Sequence, residues 1–161
     1  MSFVAIANPP SSTAEPVVTN DGWFPDMDPK AVRAACRLDG TVTADRMAPA
    51  LRDAMLSVNA ELVQYQAEQR ARWGYETLAD VPAPHMGGVS AQVLRYCRAV
   101  HACLQADLAE AYRDLDTMPA GQGKESRVLS GYAIKVDDHR RAQRWAISDL
   151  LGIARSTVEL I

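Results

Sequence analysis

The feature that most narrows the fold is the run of apolar residues between Ala44 and Trp73. Met47, Leu51, Met55, Val58, Leu62 and Tyr65 follow one another at steps of 4, 4, 3, 4 and 3, which places all six on one side of a single long α-helix. Two further segments carry the same period. From Ser90 as a cap, Leu94, Cys97, His101, Leu104, Leu108 and Leu115 form a second stripe, widened by Val93, Val100 and Tyr112; from Ser126 to Leu151, Leu129, Tyr132, Val136, His139, Ala146 and Leu150 form a third. No segment alternates with period two for long enough to build a sheet. The pattern therefore predicts an all-α fold: a small antiparallel helical bundle of three long helices plus a short amino-terminal one, with extended arms at both ends.

Local signals divide the chain. Asp28 before Pro29 is a helix start, because the carboxylate can accept the free amide hydrogens of the first turn and proline loses nothing there. That short helix runs from Lys30 to about Leu38 and stops at Asp39-Gly40, with Thr43 capping the next. Pro49 should either bend the first turns of the long helix or mark its true start. Pro82, Pro84 and Gly87-Gly88 in the stretch 74–88 exclude regular structure, residues 117–123 are a flexible connector, and Gly152 ends the last helix. The expected organisation is a mobile arm over 1–22, a helical domain over 23–152 and an extended tail over 153–161. The arm's Pro, Ser and Thr mixture cannot repay its own ordering. Trp23 and Phe24, at the edge of the ordered part, are candidates to pin the arm to the domain or to contact another subunit.

Charge and size restrict function. With 161 residues, 17 basic and 20 acidic side chains and a net charge of −3, one domain is expected, and tight sequence-independent nucleic-acid binding by phosphate neutralisation is disfavoured. Three cysteines cannot all pair within the chain and form no disulfide framework, so a reducing compartment is expected. The apolar run Met1–Ala7 is too short, and lacks the basic flank, for a signal or membrane segment.

No candidate site points to chemistry. Cys97 and His101, four apart, have the spacing of a two-ligand metal clip, but no second pair accompanies them and both fall in an apolar stripe. Gly121, Gly123 and Lys124 suggest an incomplete phosphate loop, with Glu125 where a hydroxyl should stand. Asp137, Asp138 and His139 with Ser130 or Ser148 lack any oxyanion loop. The expectation is no enzyme and no metal or other cofactor. Arg140, Arg141 and Arg144, with Lys135 nearby, form the one basic cluster, either a solvated face balanced by Asp137 and Asp138 or a contact for a partner or DNA. Trp145 beside them is a core residue or an inter-subunit anchor.

The runs Phe24-Pro25-Asp26-Met27-Asp28-Pro29-Lys30-Ala31-Val32-Arg33, Arg37-Leu38, Thr41-Val42, Asn59-Ala60-Glu61-Leu62, Leu78-Ala79-Asp80-Val81-Pro82-Ala83 and Arg144-Trp145-Ala146 resemble the head completion protein (GPL) family of contractile-tailed temperate bacteriophages. The resemblance extends from about residue 23 to the end. It implies a structural virion protein of the head–tail neck, assembled in the bacterial host cytoplasm. Such an adaptor would bind the portal protein after DNA packaging, ring up with about twelve copies of itself, extend the DNA channel and meet tail-proximal neck or terminator proteins. DNA would pass through without specific binding, and no membrane is involved. The resemblance also implies that the carboxyl end reaches the portal. Arg155, Ser156, Thr157, Val158, Glu159, Leu160 and Ile161 follow a helix stop and suit strand addition to another chain, with alternate side chains filling pockets. The alternative is a DNA-binding packaging protein of the small terminase type, which would need a basic recognition helix after a tight helix-turn-helix; none is visible.

Overall fold

The computed structural model describes residues 15–38, 42–116 and 125–155, and the side chains of 15–38, 42–111 and 135–155. Four helices account for most of it: α1 (Pro29–Cys36), α2 (Ala44–Trp73), α3 (Ala91–Asp116) and α4 (Glu125–Leu151). The expected all-α bundle is thus the architecture. Hydrogen bonds between helices give its sense. Asn59 and Tyr65 of α2 bond to Tyr96 and Gln92 of α3, and Arg140 and Leu150 of α4 meet Asp107 and Gln92 of α3. Both neighbours therefore run antiparallel to α3.

α1 begins as its sequence dictates: the Asp28 carboxylate accepts the Lys30 amide at 2.9 Å, with Pro29 in the first turn. It ends earlier than Leu38. Arg37 adopts a left-handed conformation (φ 52°) and the Leu38 amide bonds back to the Arg33 carbonyl at 3.0 Å; Asp39 and Gly40 lie outside the described residues. On α2, Met47, Leu51, Met55, Val58 and Leu62 are buried and Tyr65 is half-buried, as the stripe requires. Pro49 is inside the helix, one turn after Ala44. It does not mark the start: as the sixth helical residue it forgoes one amide bond, to the Asp45 carbonyl, and the helix runs through it because Met47, Leu51 and Met55 on either side are buried.

The stretch 74–88 is more regular than its glycines and prolines suggest. Leu78–Asp80 forms a 3-10 turn closed by a capping box: the Asp80 carboxylate accepts the Thr77 amide and hydroxyl, both at 2.8 Å. His85–Met86 (β1) pairs antiparallel with Val89–Ser90 (β2), in register His85 to Ser90 and Met86 to Val89. The intervening Gly87 and Gly88 both have positive φ, 58° and 81°. That pair of left-handed residues is what a two-residue hairpin turn demands, so the glycines build structure here instead of breaking it.

The buried face of α3 also differs from the stripe drawn through its leucines. Leu94 is 40% exposed, while Tyr96, Ala99, Val100, Cys103, Leu104 and Ala106 are fully buried. α3 packs against α1, α2 and α4 at once, so its apolar sector is too broad for one line of residues to represent. Small residues serve where helices approach closely, and Cys103 is among those inside the core. On α4, Val136, Ala146, Ile147 and Leu150 are buried and His139 is half-buried; Leu115, Tyr112, Leu129 and Tyr132 lie outside the described side chains.

The expected arm also differs over its inner third. Val18 pairs with Met27 as an antiparallel bridge, amide to carbonyl at 2.9 and 3.0 Å, and is buried. Glu15 holds the Arg33 guanidinium through Nε and Nη2 at 2.7–3.1 Å. These contacts return enough burial and hydrogen bonding to offset the ordering of 15–22; residues 1–14 lie outside the described residues. Trp23 and Phe24 are each only 2% exposed. Their rings are spent inside this subunit, and neither is a surface anchor for another.

Asn20 connects this segment to the bundle. Its side-chain amide donates to the Tyr96 hydroxyl at 2.8 Å, that hydroxyl donates to the Asn59 oxygen at 2.7 Å, and the Asn59 amide donates to the Asn20 oxygen at 2.8 Å. Each member gives one bond and receives one. Tyr96→Phe breaks this ring and leaves a donor and an acceptor short of partners, so it should lower the urea unfolding free energy by about 1–3 kcal/mol. Leu104→Ala, at a fully buried site, should cost about 2–5 kcal/mol, whereas Leu94→Ala should stay within about 1 kcal/mol. Thermal unfolding of the two variants checks which face of α3 is the core.

Candidate assembly surfaces

The basic cluster of α4 is largely neutralised within the subunit. Arg140 Nη2 donates to Asp107 at 2.7 Å and to Glu110 at 3.0 Å, both on α3, and Nη1 lies 3.8 Å from Cys103 Sγ. Arg141 donates to Asp138, one turn earlier, at 2.5 Å. Arg144 is exposed, as are Lys135, Asp137 and Asp138. The structure therefore divides the three arginines: Arg140 fastens α4 to α3, and only the outward-facing Arg144 and Arg141 are placed to meet anything else.

Trp145 is half-buried and lies between two cations. The guanidinium carbons of Arg141 and Arg155 stand 5.5 and 5.3 Å from its ring, within the range where the ring's negative face attracts a cation. Arg155 is held from its other side by Asp149, Nε to Oδ1 at 2.9 Å and Nη2 to Oδ2 at 2.5 Å. The bond from Arg155 holds the Asp149 carboxyl below the usual carboxylate range, helped by Arg98 at 3.9 Å. The turn behind this clamp is a glycine stop. Gly152 has φ 70° and the Ile153 amide bonds to the Ser148 carbonyl at 2.9 Å, so the chain leaves the helix axis and returns beside its own last turns. Of the seven tail residues singled out, Arg155 is described; 156–161 lie outside the described residues.

Next to this clamp a groove of about 430 Å³ runs along α3, floored by Leu94, Cys97 and His101 and walled by Cys36 of α1 and Ala142 of α4, with Arg98 at one edge. Sequence reasoning missed it, along with Asp149 and Arg98. The signal for Asp149 was present in principle, since a glycine stop lets a residue six positions on fold back onto the helix.

Cys97 and His101, the pair with the spacing of a metal clip, do share the groove. Among the described residues, however, no group of three or more His, Cys, Asp or Glu could hold a metal ion. Burial raises the Cys97 thiol above its ordinary range and pushes Cys36 and Cys103 up to about 11, which disfavours the thiolate a metal would need. The acid–base candidates do not converge. Asp137, Asp138 and His139 are consecutive on a helix and diverge, and Ser148 stands nine residues, or about 13 Å, along the axis from His139. Ser130 and the loop at Gly121, Gly123 and Lys124 lie outside the described side chains. No helix among the described residues is long and apolar enough to cross a membrane.

The described residues form a helical body in which ionisable groups fasten helices to one another and border a groove. Comparison with known sequences gives the family. The model of the phage head completion protein (GPL) family matches residues 18–161, and the chain belongs to that family. It is 40% identical over 147 residues, 91% of this chain and 84% of the relative, to the head completion/stabilization protein of Escherichia phage P2. No solved structure matches. The chain is accordingly a bacteriophage protein of head completion, with a structural role in virion assembly.

One group beside the groove reports on the fold through pH. Burial lowers the affinity of His101 for its proton below the ordinary 6.5, so the unfolded chain binds a proton that the folded one resists. Its contribution is intact above pH 6.5 and is lost as pH falls from there toward its lower folded value. Urea midpoints measured from pH 7.5 down to about 5 should decline, and His101→Gln should flatten the decline.

Proposed function

We propose that this chain is a non-enzymatic adaptor of the phage head–tail connector. It binds the portal ring once DNA is packaged, extends the channel through which the DNA passes, and offers the surface on which tail-proximal neck proteins dock. The observation that carries this reading is that the family match spans residues 18–161, from the buried Val18 through the tail. Bundle and tail thus go together as one unit, and a protein that completes a filled head has to seat on structures already built.

The geometry supports the same reading. The helices are cross-braced by ion pairs and a fully buried core, which gives a stiff body for repeated packing. A ring, of about twelve copies, requires one face of the body to meet a different face of the next. Leu56 and Val63, 66% and 51% exposed, lie seven residues apart on the outer side of α2 and form an apolar line suited to a neighbouring copy. The tail leaves the body at Arg155 from a clamped root, and its residues Val158, Leu160 and Ile161 gain nothing from solvent. Docking of 155–161 on the portal gives them a partner, by strand addition to a sheet edge. Assembly takes place in the host cytoplasm, and the product resides in the virion neck. Nothing favours the terminase reading, since the basic cluster that DNA would need is mostly paired internally.

Removing residues 155–161 should leave the helical circular dichroism unchanged and abolish co-sedimentation with purified portal rings. Undiminished binding by the truncated chain would move the attachment to the body, with Arg141, Arg144 and Trp145 as the next surface to alter.

A further inference from the structure

The groove over α3 is open and apolar, and its position relative to the tail root is specific. Its α3 floor spans Leu94 to Gln105, eleven positions or about 16 Å along the helix. Arg98 borders it and lies 3.9 Å from Asp149, which in turn grips Arg155. The last described residue therefore stands at the edge of the groove. The six residues that follow can extend about 20 Å, enough to cover the floor of about 16 Å.

Direction and chemistry agree with length. The turn at Gly152 has already reversed the chain, so Arg155 lies back beside Asp149, on the same face of α4 as Trp145 and Ala142, positions that differ by 3, 4 and 7 residues. Ala142 is the α4 wall of the groove. An extended continuation would run past Trp145 toward Ala142. In such a strand Ser156, Val158 and Leu160 share one side and Thr157, Glu159 and Ile161 the other. With the first set against Leu94, Cys97 and Ala142, Glu159 falls on the solvent side, within reach of the half-exposed Arg98.

We propose that the α1–α3–α4 groove is the binding site for the chain's own carboxyl-terminal segment, residues 156–161, in the free subunit. The clamp formed by Asp149, Trp145 and Arg155 aims the segment into the groove, and Val158 and Leu160 fill it. A free subunit then covers both its exposed groove and its apolar tail. The site stands whether or not the portal is the tail's later partner, because it concerns the subunit alone.

Cys97 on the groove floor provides the readout. Alkylation by a small maleimide, located by peptide mapping to separate Cys97 from Cys36 and Cys103, is followed in the full chain and in the chain lacking 156–161. Deletion should speed Cys97 labelling about tenfold, with circular dichroism unchanged. Val158→Asp with Leu160→Asp in the full-length chain should do the same, and gives the readout even if the truncated chain fails to fold. In the full chain the protection should persist over about a hundredfold dilution, because a tethered segment binds independently of concentration. Equal labelling with and without the segment overturns the proposal. Protection that disappears on dilution overturns it too, by assigning the groove to the tail of a second copy. No portal is present in this measurement, so its failure would leave the portal reading standing, and failure of portal binding would leave the groove assignment standing.

Discussion

The structure depends on the burial of one tyrosine hydroxyl. Tyr96 is fully buried at the crossing of α2 and α3, where an unpaired hydroxyl would cost several times what a hydrogen bond normally returns. Asn20 and Asn59 satisfy it from two separate parts of the chain. Phe24 stacks on the ring at 4.8 Å with the planes 15° apart, and Trp23 meets Phe24 edge-on at 4.8 Å. Trp23 then bonds through Nε1 to the Tyr75 carbonyl and accepts the Leu78 amide. A single buried polar group thus obliges the amino-terminal segment, the end of α2 and the 3-10 turn to converge. Three of the six short sequence runs that carry the family resemblance meet at this convergence, through Phe24 and Asp26, Asn59, and Leu78.

A second layer of order comes from charge. Asp107 and Glu110 draw Arg140 across from α4, Gln105 of α3 donates to the Cys36 carbonyl at the end of α1 at 3.3 Å, and Glu61 of α2 accepts from the buried Gln143 of α4 at 2.9 Å. The remaining Gln143 oxygen is buried without a partner, an unrelieved cost at the α2–α4 contact. The Arg140 pairs are a third exposed, so screening limits each of them. Their effect is on register, holding helices at one axial offset that apolar packing alone would leave less defined. The same economy of charge explains why a cluster that reads as basic in the sequence presents so little free positive surface. It also explains why the tail root is the better-defined feature of that end of the body, since Asp149 holds two arginines and fixes where the chain leaves.

Helix number, type and approximate limits were legible in the sequence because they depend on neighbours along the chain. The α2 stripe, the Asp28-Pro29 start, the Ser90 cap and the Gly152 stop are local physics, and the structure keeps them. Which side of α3 is core was not legible: three helices press on it, and burial there is set by how closely they approach, so alanines and Cys103 are inside while Leu94 is out. Gly87-Gly88 could be read as a break or as a hairpin turn, and only the pairing of His85 with Ser90 decides for the hairpin. Residue identity likewise marked Trp23, Phe24 and Arg140 as notable, yet whether each faces inward or outward depends on partners 30 to 72 positions away. The sequence by itself determined the elements and the family, because helical period and caps act over a few residues and motifs are strings. Tertiary structure alone decided the ring of Asn20, Tyr96 and Asn59, the pairing that silences Arg140, and the groove beside the tail root, because each forms only where segments distant in the chain are brought within a hydrogen bond or a side chain's width of one another.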